Sequence, residues 1–165
     1  MTDLTELEEL LLTKESNEFY KYDLNGQTLI GKVIKIYDTD TLTIGTMISD
    51  VFVKLNIRLC GIDAPELKSK SNNGLESKLC RLGRNWLKQE YLNKLVIVEC
   101  KEMDKYGRLL GIVYDRLDIE KCINDLLITN KFVRCYGGNL HKNEWTIDEL
   151  EEGINVANSI GVEDV

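Results

Sequence analysis

Proline and histidine are each present once, as Pro65 and His141, and the single histidine is expected in a surface loop rather than at a reacting centre. No apolar run approaches the length of a membrane-spanning helix, so a transmembrane or membrane-bound protein is not expected. The first residues, Met1-Thr2-Asp3-Leu4-Thr5-Glu6, lack the basic start of a secretory signal, and an intracellular location is expected. There are five cysteines, Cys60, Cys80, Cys100, Cys122 and Cys135, and no CxxC pair. An odd count without that spacing argues against a disulfide framework and against a zinc site, leaving reduced thiols used as small apolar residues. Internal repeats and low-complexity linkers are also missing, and 165 residues are expected to form one domain.

What is present is a hydrophobic fraction of 43%, enough for a globular core, and a net charge of −7 that is unevenly spread. Residues 1–25 carry seven acids and two lysines, and residues 143–165 carry seven acids with no lysine or arginine. The middle, residues 26–142, therefore nets +5. A basic centre between acidic ends is compatible with a polyanionic substrate. The expected organisation is an acidic helical extension over 1–25, a central domain over 26–142 and an acidic helix over 143–165 packed on it.

Leu4, Leu7 and Leu11 mark one face of a leading helix. Strands are expected over Leu29–Tyr37, Thr41–Thr46 and Val51–Leu59, the last alternating cleanly, with Arg58 on its polar face. Leu75, Leu79, Leu82 and Trp86 form the apolar stripe of a helix over 74–92. Two further strands, Leu95–Cys100 and Leu109–Tyr114, precede a helix over Ile119–Asn130 and another over Ile147–Ser159. Ile123, Leu126 and Leu127 are expected to be buried. Five strands with a helix between the third and fourth is the element order of an OB-fold barrel, an α+β fold that is mainly β, here with about three helices and an extra N-terminal one.

Three short segments carry the chemistry. They are Asp38-Thr39-Asp40-Thr41, Arg58 through Ile62-Asp63-Ala64-Pro65-Glu66, and Asp104-Lys105-Tyr106-Gly107-Arg108. Acids from separate strand ends suit a calcium ion, which takes six to eight oxygens at about 2.3–2.6 Å. A carboxylate beside a metal can take a proton from water, and an arginine's planar fork bonds two phosphate oxygens at once. Asp-Thr tetrapeptides also form ordinary turns, so the first segment alone would mean little. Pro65 fixes the backbone between Asp63 and Glu66, which makes the second segment the most specific.

Taken in this order the segments resemble the staphylococcal nuclease (thermonuclease) family, over roughly residues 30 to 137. The resemblance implies a nuclease acting with calcium on DNA and RNA without base readout, on single-stranded or unpaired regions, leaving 3′-phosphate ends. Asp40, Asp63 and the backbone carbonyl of Ala64 match its calcium ligands, and Asp38 an outer-shell acid. Glu66 matches the position assigned as general base, and Arg58 and Arg108 the two phosphate-binding arginines. Lys105 and Tyr106 match positions that contact nucleotide, and Tyr136 is the candidate for a nucleotide-flanking tyrosine. Thr is the commoner residue where Ala64 stands, so a hydroxyl is lost there while the carbonyl stays. A monomer is expected. The alternative is a non-catalytic nucleic-acid- or protein-binding OB module, but such copies lack the charged residues that this chain keeps. A generic single-strand binder would not set acids beside its arginines, since acids repel phosphate unless a cation lies between them.

Overall fold

The computed structural model describes residues 4–137 and 143–165; His141 lies outside them. Nine residues of alternating burial form β1 (Thr28–Ile36), which turns through Asp38–Asp40 into β2 (Thr41–Ile48). Ser49 and Asp50, both at positive φ, make the tight turn into β3 (Val51–Leu59). Strands β5 (Leu95–Met103) and β6 (Leu109–Asp115) complete a closed barrel in the order β1-β2-β3-β6-β5. All neighbours are antiparallel except β3 and β6, which run parallel from Ile57 opposite Leu109 to Leu59 opposite Gly111. This is the OB-fold barrel that the element order implies.

Inward side chains of the strands, among them Val33, Leu42, Ile44, Ile57, Val98 and Val113, are fully buried. Helix α2 (Leu75–Tyr91) follows β3 and covers one end of the barrel with Leu79, Leu82, Trp86 and Leu87. Trp86 lies 5.7 Å from Phe132, ring to ring, so the segment after α3 (Ile123–Thr129) packs under the same helix. Helix α4 (Ile147–Ser159) packs on α2, and Gly153 makes the close approach possible. A Cβ there would stand 2.5 Å from the Lys131 carbonyl and 2.7 Å from Leu79. No helix among the described residues is long and apolar enough to cross a membrane.

Several expectations change. Helix α3 starts at Ile123, not Ile119, because Asp118 to Lys121 close a turn and Cys122 is extended and bridges Tyr114. Leu126 is half-buried rather than buried. The leading helix α1 (Leu4–Leu12) exists, but no residue of it is buried, so its leucine face does not join the core. Leu24 does: it is 5% exposed and seals the barrel where Gly26 and Gln27 bond Cys100. The surface extension therefore ends before Leu24 rather than at 25. An unforeseen two-residue sheet pairs β4 (Ile62–Asp63) with β7 (Arg134–Cys135). All five cysteines are free.

Candidate functional site

The Asp38–Thr41 turn is anchored from below. Thr39 is fully buried, and its hydroxyl donates to the Cys80 carbonyl of α2 at 2.9 Å. Gly83, one turn on, leaves room for it, since a Cβ there would lie 2.5 Å from Thr39 Cγ2. The turn is thus seated on the helix. Asp38 Oδ1 accepts the Asp40 N–H at 3.1 Å, which turns the Asp40 side chain toward β3. There its Oδ1 accepts the Thr41 hydroxyl at 2.8 Å, and its Oδ2 pairs with Arg58 Nη2 at 3.0 Å.

Burial pushes the Asp40 carboxyl up to about 6. Arg58 pulls it down, and the neighbouring Asp38 pushes it up further. Arg58 itself is held at the end of β3. Nη1 donates to the Leu59 carbonyl at 2.6 Å, and Nη2 to the Ile62 carbonyl at 3.1 Å.

Asp63 stands on β4, 5% exposed, directly opposite Arg134 on β7. Arg134 Nε donates to Asp63 Oδ2 at 2.9 Å, and Nη2 approaches the same oxygen at 2.9 Å. The same guanidinium lies 4.3 Å over the Trp145 ring, pairs with Glu149 at 3.5 Å and donates to the Asn143 and Glu144 carbonyls. Nothing in the sequence reading assigned Arg134 a role. Its signal is three-dimensional, because Asp63 and Arg134 are 71 residues apart.

After Asp63 come buried Ala64 and Pro65, and then Glu66, exposed at the rim. Buried Glu76, in the first turn of α2, shapes this loop: Oε1 accepts the Glu66 N–H at 2.9 Å and Oε2 the Ser69 hydroxyl at 2.6 Å. The third segment is a tight hairpin with Gly107 at φ +79°. Asp104 Oδ1 accepts the N–H groups of Tyr106 and Arg108, and Oδ2 accepts Arg108 Nε at 2.7 Å. Burial pushes the Asp104 carboxyl up, but these bonds outweigh it and hold it below the usual carboxylate range. Arg108 is thereby aimed with both Nη groups left for a ligand. The exposed Tyr106 ring lies 5.0 Å from Lys105 Nζ and 5.5 Å from the Arg108 guanidinium. Tyr136 is tied in by its N–H to the Gly61 carbonyl at 2.9 Å.

All ten residues singled out in the sequence line one cleft of about 670 Å³: Asp38, Asp40, Arg58, Asp63, Ala64, Glu66, Lys105, Tyr106, Arg108 and Tyr136. Pro65 is the other lining residue. The donors offered to an ion are carboxylate and carbonyl oxygens, the set that calcium prefers. Among the described residues no three Asp, Glu, His or Cys side chains gather as a metal group. Asp40 and Asp38 stand together with the Arg58 guanidinium on Asp40, and the burial that pushes the Asp40 carboxyl up to about 6 is a cost that a cation would reduce. The residues fit such an ion, and Arg58 and Arg134 pair with the same two acids.

Comparison with known proteins gives the family. The family described as staphylococcal nuclease homologue matches residues 56–160, starting inside β3. A micrococcal nuclease of Shigella flexneri is 37% identical over 87 residues, 51% of this chain and 41% of that protein. An uncharacterized endonuclease of Escherichia coli is 33% identical over 84 residues, 51% of this chain and 47% of that protein. An uncharacterized protein of Methanocaldococcus jannaschii is 31% identical over 107 residues, again 51% of this chain and 47% of the relative. The chain spans less than half the length of these relatives. Because the family match covers more than half of the chain, the chain belongs to the staphylococcal nuclease family.

Proposed function

We propose that this chain is a calcium-dependent nuclease that hydrolyses phosphodiester bonds in single-stranded or unpaired DNA and RNA, leaving 3′-phosphate ends. One observation carries the reading: acids and arginines from three separate segments converge on a single cleft. A binding module has no use for buried carboxylates facing phosphate.

Asp40, Asp63 and the Ala64 carbonyl would hold the ion, with Asp38 orienting the shell. When bound, the ion would offset the acids' charge and polarise a phosphate oxygen or water. The chain's own groups account for the rest. Glu66, at the rim with its backbone N–H held by Glu76, takes a proton from the attacking water as the water oxygen bonds phosphorus. The P–O5′ bond breaks, and the leaving oxygen is protonated from solvent, giving a 3′-phosphate and a 5′-hydroxyl. Charge grows on the non-bridging oxygens in the transition state, where the Nη groups of Arg108 and the pre-held fork of Arg58 favour it over the ground state. Lys105, Tyr106 and Tyr136 bind the nucleotide by charge and by stacking, which is tolerant of base identity.

The test is incubation with single-stranded DNA and RNA, with calcium or with excess chelator. Cleavage is expected only with calcium, with magnesium a poor substitute because it demands tight octahedral geometry. Glu66→Gln and Arg58→Lys are expected to lower turnover by about 10²–10³ with little loss of binding. Full activity in chelator removes the metal from the reading, and near wild-type turnover of Glu66→Gln removes the base.

A further inference from the structure

We propose that the substrate strand runs out of the cleft into a second groove on the outer face of β1, β2 and β3, where the adjoining nucleotide is bound; this rests on the cleft being the phosphodiester site. The groove, about 340 Å³, is lined by Lys35, Tyr37, Thr43, Asn56, Tyr106 and Arg108, with Thr41 at its floor. Its size falls within the range of about 300–1,000 Å³ typical of small-ligand sites.

Strand register places the two cavities side by side, with Tyr106 and Arg108 common to both. Thr41 lies opposite Arg58, while Thr43 lies opposite both Asn56 and Lys35. Residues two apart share a face, so the row Lys35, Thr43, Asn56 stands one step, about 7 Å, along the same outer face from Arg58. Tyr106 and Arg108 line both cavities and form the wall between them. A chain whose phosphate is gripped by Arg58 and Arg108 therefore enters this groove by moving one step along the strands.

The groove's chemistry fits a nucleotide. Tyr37 and Tyr106 are 55% and 72% exposed, two rings open to a base. Lys35 and Arg108 are its charged groups, and no acid lines it, whereas the cleft holds four. The Thr43 hydroxyl donates to Asn56 Oδ1 at 2.8 Å, which fixes the amide and leaves its N–H donors for a ligand. The cleft needs a cation to accept phosphate, but the groove does not. Its grip on nucleic acid should survive chelation. Because stacking carries it, the groove should accept any base of a single strand and exclude a paired one.

The test titrates the full chain with fluorescein-labelled oligothymidylate in excess chelator, read by anisotropy, and with thymidine monophosphate in the presence of calcium, read by calorimetry. Tyr37→Ala is expected to weaken oligothymidylate binding roughly tenfold and Lys35→Ala several-fold, leaving thymidine monophosphate unchanged. Tyr20→Ala, a still more exposed ring outside the groove, is the control for unspecific stacking. With calcium present, Tyr37→Ala should raise KM for the oligonucleotide and leave kcat alone. Oligothymidylate affinities of Tyr37→Ala and Lys35→Ala equal to wild type would overturn the groove, even in a protein that cleaves. Tyr37-dependent binding in a protein that never cleaves would sink the nuclease reading and uphold the groove.

Discussion

Asp63 is the residue on which the site turns, and it is held by a partner that no short motif contains. Replacing Arg134 with Met removes the guanidinium that lies over Trp145 and pairs with the 5% exposed Asp63 carboxylate. Breaking a buried pair in this way costs about 3–5 kcal/mol. Arg134→Met is therefore expected to lower the melting temperature sharply in chelator. If a cation and Arg134 share Asp63, calcium should recover more of the melting temperature in this variant than it adds to the wild type. Equal calcium shifts in both proteins would show that the ion does not reach Asp63. At this scale the sequence was legible where spacing carries the information. Pro65 between two acids and Gly107 before Arg108 sit in short segments whose backbone dictates where side chains point. Arg134 was not legible, because a pairing across 71 residues leaves no local trace.

Elements that look like plain scaffold position the acids. Thr39 reads as a turn residue, yet the structure buries it against α2, and Gly83 reads as a weak point in a helix, yet it is the seat for that turn. Gly83→Ala should gain helix propensity, about 1 kcal/mol. It nevertheless sets a methyl group 2.5 Å from Thr39 Cγ2. Overpacking of this kind costs about 1–3 kcal/mol, so net destabilisation and a displaced Asp38–Asp40 turn are expected. Calorimetric calcium titration should then show weaker binding than in Gly153→Ala, which overpacks against the Lys131 carbonyl and Leu79 instead of the turn; equal affinities would show that the helix, not the turn, gives way. The C-terminal end is fixed to α2 by Arg81, which donates to both oxygens of Asp164 at 2.7 and 2.8 Å. Hydrogen bonds from Arg81 hold the Asp164 carboxyl below its ordinary value near 3.8. A lowered acid contributes stability above its unfolded value, and that contribution disappears as pH falls through the folded one. Asp164→Asn should thus be slightly less stable than wild type at neutral pH, by less than about 1 kcal/mol for so exposed a pair. The two urea midpoints should converge below pH 3.8. A gap that persists in acid would mean the asparagine is disturbing packing instead. The strands and α2 were legible because alternation and a helical stripe are strong periodic signals. The start of α3 was not, since Ile119 to Cys122 have helical composition while Asp118 and the Tyr114 bridge bind them otherwise.

Across the whole molecule, charge sets how substrate is met before any contact forms. The central residues 26–142 net +5, and both ends are acidic. The C-terminal acids are built in, because α4 packs on α2 and Glu149 pairs with Arg134. The N-terminal ones are not: residues 4–23 are exposed throughout, up to Leu24. Removing residues 1–22 deletes six acids and two lysines and, among the described residues 4–22, no buried side chain. Thermal stability is therefore expected to stay at the wild-type value, whereas a cut that also takes Leu24 should cost about 2–5 kcal/mol, the usual loss on emptying a buried leucine site. The shorter truncation should bind oligothymidylate more tightly at low salt, because a negative segment is no longer present to repel it. With Lys35, Arg58, Lys105 and Arg108 as the phosphate contacts, log affinity should fall against log salt with a slope of about −3, at roughly 0.7 per contact on a single strand. Screening over about 10 Å at 0.1 M salt should close the gap between the two proteins as salt rises. Equal affinities at low salt would show that the acidic segment lies too far from the cleft to act on it, and a slope near zero would show that stacking, not phosphate, carries the binding.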